Sequence, residues 1–141
     1  PRAVMQQWSA EIEKFVKQES KLKVCLYYGP ARDRNPNVLA AADVVITSYS
    51  IVMHEHALAP AEPVESDGGA QMPPRASSPT KKKGGKGLFW VWWSRIVLDE
   101  GHVIRNPAAK TTKSVVALQA DRRWYMSGTP IQNNLQDLCS V

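Results

Sequence analysis

The chain has 141 residues, 43% of them apolar, five tryptophans and a formal net charge of +5. Those values suit one globular domain with a sizeable core, and the moderate basic excess favours a polyanion such as nucleic acid as partner. No stretch approaches the roughly 20 apolar residues of a membrane span, no signal peptide is visible, and Cys25 and Cys139 fit no metal-ligand or disulfide spacing, so reduced thiols in a nuclear or cytosolic protein are expected.

Between Ala3 and Gln18 the apolar residues Val4, Trp8, Ile12, Phe15 and Val16 recur at helical spacing, which predicts a surface helix with one buried stripe. Residues 23–28 read as a strand stopped by Gly29-Pro30, and the polar residues 31–37 as a loop. A short helical turn is expected over 38–42, then a continuous apolar strand at 44–47. Ser48-Tyr49-Ser50 follows, with hydroxyls placed to cap a helix beginning at Ile51. Residues 57–87 hold half of the prolines and most of the glycines with almost no bulky apolar residue, so this stretch is expected to be a disordered insertion. It also carries Lys81, Lys82, Lys83 and Lys86, which reads as a solvated charge run. Strand and helix signals of one type flank it, which favours an insertion within one domain over a linker between two. The division is therefore 1–56, 57–87 and 88–141.

The aromatic run 88–93 leads into the strand Ile96-Val97-Leu98 and is read as core packing in preference to a stacking platform for bases. Three apolar residues without alternation suit a parallel strand covered on both faces. Asp99 and Glu100 then stand at its carboxyl end, the edge where open α/β sheets bind ligands. Such a carboxylate pair suits Mg²⁺ on a nucleotide's phosphates and the polarising of an attacking water. Asn106-Pro107 reads as a helix start, 123–126 as a strand closed by Ser127-Gly128-Thr129-Pro130, and Leu135, Leu138 and Val141 as a last amphipathic helix. Alternating helices and strands imply an α/β fold with a parallel sheet flanked by helices. Both polar motifs then fall on one sheet edge. A hydroxyl-Gly-hydroxyl turn near a terminal phosphate can bond differently before and after hydrolysis, as a switch requires. His54 and His56 have the wrong spacing for a helical metal pair and are expected to face solvent.

DEGH and SGTPIQNNLQDL, with Arg105-Asn106-Pro107 between them, resemble the Walker B box and motif III of the Swi/Snf-type ATPases, a branch of the superfamily-two helicases. KVCLYYG with Arg32, DVVITSY, and Trp93-Ser94-Arg95 resemble further blocks of that family, so the likeness covers nearly everything outside the insertion. Glu11-Ile12-Glu13-Lys14 and Leu118-Gln119-Ala120 look like the transcription termination factor 2, or lodestar-like, group. DEGH looks like the helicase-like transcription factor group. Ser127 and Ser48 replace the usual threonines and keep the hydroxyl.

The resemblance implies part of the N-terminal RecA-like lobe of an ATP-driven, double-stranded DNA translocase in the nucleus, acting in transcription termination, chromatin or DNA repair. ATP and Mg²⁺ are the implied cofactors. Asp99 would hold Mg²⁺ through water and Glu100 would activate the hydrolytic water. His102, Ser127, Gly128, Thr129 and Gln132 would couple hydrolysis to the DNA face, and Thr47, Ser48, Arg105 and Asn106 would approach the DNA backbone. Implied partners are double-stranded DNA, chromatin or RNA polymerase complexes, and the second RecA-like lobe of the same protein.

No G-x-x-x-x-G-K-[ST] phosphate loop occurs in the 141 residues; Gly84-Gly85-Lys86-Gly87 lacks the spacing. The chain starts at Pro1 without Met and ends inside an amphipathic pattern, as expected of a piece of a longer protein that turns over no ATP alone. The alternative from another class is a non-catalytic lobe retained for binding DNA or protein. An RNA helicase of the DEAD-box kind shares the acids but usually carries a bare Ser-Ala-Thr as motif III.

Overall fold

The computed structural model describes residues 2–17, 20–59, 85–104 and 106–128. Helix α1 spans Arg2–Phe15, strand β1 Val24–Leu26, helix α2 Pro36–Ala40, strand β2 Val44–Ile46 and helix α3 Tyr49–Leu58. A single 3₁₀ turn at Leu88–Trp90 precedes strand β3, Ile96–Leu98; a second at Gly101–Ile104 precedes helix α4, Lys110–Val116, and strand β4, Arg123–Tyr125. The expected alternation is therefore present. The expected last helix at Leu135, Leu138 and Val141 lies outside the described residues, as does most of the insertion.

β1 pairs in parallel with β2, Val24 opposite Val44 and Leu26 opposite Ile46. β3 pairs in parallel with β4, Ile96 opposite Arg123 and Leu98 opposite Tyr125, and a bridge from Trp93 to Ala120 extends that ladder backwards. Each pair is a βαβ unit, closed by α2 in the first case and α4 in the second. Among the described residues the two pairs form separate sheets and not the single sheet expected. Packing of α3 on α4 joins them, with a core that includes Tyr27, Leu39, Val52, Leu88, Leu98, Ile104, Val115 and Leu118.

Local chemistry explains the boundaries that differ. Asn35 caps α2 by accepting the Asn37 N–H at 3.0 Å, and Pro36 needs no partner in the first turn, so the helix starts two residues before the expected turn. Asn106 accepts the Ala108 N–H at 2.9 Å, which ties it into a tight turn and delays α4 to Lys110, correcting the expected start at Asn106-Pro107. α3 runs to Leu58, two residues past the expected division at 56. The stripe expected on α1 is largely open: Met5 is buried, whereas Val4 and Phe15 are exposed. β3 is covered on one face only, with Leu98 buried and Val97 49% exposed. In the aromatic run Leu88, Phe89, Val91 and Trp93 enter the core, while Trp92 stands outside and donates to Asp121 at 2.9 Å. His54 and His56 are exposed, as expected.

A buried carboxylate fixes the middle of the molecule. Glu55 on α3, 2% exposed, accepts the Tyr27 hydroxyl, the Arg32 Nε–H at 3.1 Å and the Leu88 N–H at 2.8 Å. Arg34 Nε lies 3.3 Å from the same oxygen that Arg32 uses, within ion-pair range but without hydrogen-bond geometry. Gly87 has a φ of 91° and leaves no room for a β-carbon, which would fall 2.1 Å from Glu55 Oε2.

Candidate active site

The apolar run of β3 ends at Leu98, and the chain turns at Asp99 and Glu100. Glu100 has a φ of 49°, a left-handed conformation that costs a non-glycine residue on the order of 1 kcal/mol. Its neighbours over-determine it. The Glu100 N–H donates to Asp99 Oδ1 at 2.9 Å, the Gly101 N–H to the Met126 carbonyl at 2.9 Å, and the Val103 N–H to the Glu100 carbonyl at 3.0 Å. The turn leaves the Glu100 carboxylate 66% exposed, 3.1 Å from Nδ1 of His102.

Asp99 is held from three sides. Besides the Glu100 amide, the Trp8 indole N–H on α1 donates to Oδ2 at 3.2 Å, and the Tyr49 hydroxyl donates to the Asp99 backbone carbonyl at 2.8 Å. Burial first, then the nearby Asp99, Tyr125 and Glu100, pushes the Tyr49 phenol up to about 12, so it stays a protonated donor at neutral pH. Neither contact follows from sequence periodicity. Trp8 sits in what reads as a core stripe, and Tyr49 is 50 residues from Asp99; the one available signal is its place at the carboxyl end of a strand.

The Met126 N–H donates to the Leu98 carbonyl at 2.9 Å, so the ladder carries Ser127 and Gly128 out beside Asp99 and Glu100. That is the shared sheet edge expected for the two motifs. Thr129, Gln132 and Arg105 lie outside the described residues. At the end of β2 the Thr47 hydroxyl turns inward to the Tyr27 carbonyl at 3.0 Å. Ser48 is the N-cap residue of α3 but makes no side-chain cap bond; its hydroxyl pairs with that of Ser50 at 2.9 Å. The Asn106 carbonyl accepts the Thr112 hydroxyl at 2.7 Å, and its side chain is committed to the turn before α4.

The acids fit a hydrated divalent cation. Each Asp99 oxygen accepts one neutral donor and retains lone pairs for metal-bound water, and carboxylate oxygens are the hard donors that Mg²⁺ selects.

The family profile described as SNF2-related domain matches residues 1–141. A helicase-like transcription factor from Oryctolagus cuniculus is 37% identical over the whole chain, which spans 12% of that protein. Transcription termination factor 2 from Drosophila melanogaster is 33% identical over the whole chain, 11% of its own length. Among solved structures, the Sulfolobus solfataricus SWI2/SNF2 ATPase core in complex with dsDNA matches with a TM-score of 0.64 at 24% identity, covering 99% of this chain and 22% of that one. That likeness shows the fold, a RecA-like α/β lobe with parallel strand pairing.

Proposed function

The chain belongs to the SNF2-related domain family, and from that premise we propose that it is part of the N-terminal lobe of an ATP-driven translocase on double-stranded DNA. The observation that carries this reading is the pair Asp99 and Glu100 at the end of β3, tied by the Gly101 N–H to the carbonyl of Met126, just before the Ser127-Gly128 turn. When bound, Mg²⁺ and ATP supply an activated phosphoryl group at this edge. Asp99, its carboxylate oriented by Trp8 and the Glu100 amide, would hold the cation through water. Glu100, projected outward by its left-handed backbone, accepts the proton of the attacking water, and His102 at 3.1 Å orients that carboxylate.

Ser127 and Gly128, with Thr129 and Gln132 beyond them, carry the change on hydrolysis toward the DNA face. Ser48 and Ser50, with the first turn of α3, meet the phosphate backbone of the tracked strand, together with Arg105 and Asn106. Thr47 serves there through its backbone, because its hydroxyl is spent on Tyr27. Contacts of that kind carry no base information, so binding is sequence-tolerant and weakens with salt. The phosphate loop is not among these 141 residues, and the activity is assigned to the complete protein, working in the nucleus with its second RecA-like lobe on DNA, in chromatin or on transcribing polymerase. In this reading the stretch 57–87 is an insertion within the lobe.

The test is ATP turnover by the complete protein with duplex DNA. Glu100→Gln should lower DNA-stimulated kcat by about 10²-fold or more while duplex binding persists. Turnover at the parent rate would remove Glu100 from the chemistry and the reading with it.

A further inference from the structure

We propose that Tyr49 is a positioning residue through which contact between DNA backbone and the β2–α3 junction sets the geometry of Asp99 and Glu100; the inference rests on the DNA-motor reading above. Tyr49 is the first residue of α3 and directly follows Thr47-Ser48, so its backbone moves with the segment assigned to DNA. Its phenol reaches from the end of one parallel strand pair to the end of the other and donates to the Asp99 carbonyl at 2.8 Å.

That carbonyl belongs to the peptide joining the two acids. The same peptide's N–H, on Glu100, donates to Asp99 Oδ1 at 2.9 Å, so both its ends are held. This peptide plane sets the φ of Glu100, which stands at 49°. A non-glycine residue in that region persists only while its surroundings hold it, and rotation of the peptide toward negative φ is its ordinary relaxation. Losing the phenol frees the carbonyl end and lets the Glu100 carboxylate swing. Hydrogen bonds weaken steeply with distance and angle, so a shift of the α3 start by a fraction of an ångström is enough to make or break this one. Tyr49 thus joins a DNA-facing helix start to an acid turn whose left-handed backbone is kept in place by its surroundings.

The experiment compares the complete protein with its Tyr49→Phe variant, which keeps the ring and removes the donor. The quantity read is the ratio of kcat with saturating duplex DNA to kcat without it. The expected result is a fall in that ratio on the order of 5-fold, with duplex Kd and the KM for ATP within about twofold of the parent. Trp8→Phe, which removes a donor from the carboxylate and not from the carbonyl, should lower both rates together and leave the ratio. An unchanged ratio in Tyr49→Phe overturns the coupling, as does a matching loss of duplex affinity, which would make Tyr49 a DNA ligand. A parent protein that duplex DNA does not stimulate overturns the underlying reading instead. Amide exchange in the parent decides the matter even if the Phe variant fails to fold: duplex DNA should alter protection at Glu100 and Gly101, and no change there rejects the proposal.

Discussion

Gly101 in the DEGH turn is required by space. A β-carbon there would lie 2.1 Å from Cε2 of the Tyr125 ring, so alanine must displace the ring or the turn. Gly101→Ala should therefore cost about 1–3 kcal/mol, and trimming the ring with Tyr125→Val in the same chain should recover much of it. Thermal unfolding of the two single variants and the double variant checks this; strictly additive costs would show that ring and glycine do not compete. The position of the acids at the end of β3 was legible in the sequence, because a continuous apolar run stops dead at two carboxylates. Tyr49 was not, since a hydrogen bond spanning 50 positions leaves no trace in local pattern. Thr47 shows a third case, a hydroxyl at the expected place whose partner is the carbonyl of Tyr27.

Strands and helices were readable wherever a run was continuous, as at β1, β2, β3 and β4. They shifted where a single polar side chain decided the start: Asn35 advances α2 and Asn106 delays α4, and either asparagine could have capped a helix or closed a turn. α3 carries the least legible feature, the Glu55 carboxylate flanked by two histidines that both face solvent. Nothing in HEH marks the middle residue as the one buried. Its four partners come from the end of β1, the loop after it and the return at Leu88, so this single helix position joins three segments. Replacing it by the isosteric amide leaves Arg32 and Arg34 facing a neutral group. Glu55→Gln should destabilise by about 3 kcal/mol or more, seen as a lower urea midpoint with little change in slope. An Ala substitution at His54, which is exposed, should stay within about 0.5 kcal/mol in the same assay.

For the molecule as a whole, one buried and one half-buried phenol set the alkaline limit. Burial, helped by Glu55 and opposed by Arg32, holds Tyr27 up at about 12, and Tyr49 is held at about 12 as well. Below about pH 10, the ordinary phenol value, folded and unfolded chains both carry the proton and nothing is lost. Above it the unfolded chain loses the proton first, so stability should fall between about pH 10 and 12. Urea midpoints across that range should drop, and more gently in Tyr27→Phe. The core of the lobe was foreseeable from composition, but its open side was not. Val97 and its register partner Trp124 stay half exposed, with the Arg95 guanidinium 4.3 Å over the indole, because no described segment lies on that face of β3 and β4. The Glu55 cluster also bears on what this lobe tolerates over time. Its bonds fix α3 before Ala59 and the chain after Gly87, whose N–H is held by the Arg34 carbonyl at 2.7 Å, so both roots of the intervening sequence are set by contacts that sequence does not make. Doubling such a segment costs only about 0.6 kcal/mol in closure entropy. Insertions, deletions or a grafted domain between those roots can therefore accumulate while the rest of the lobe stays the same.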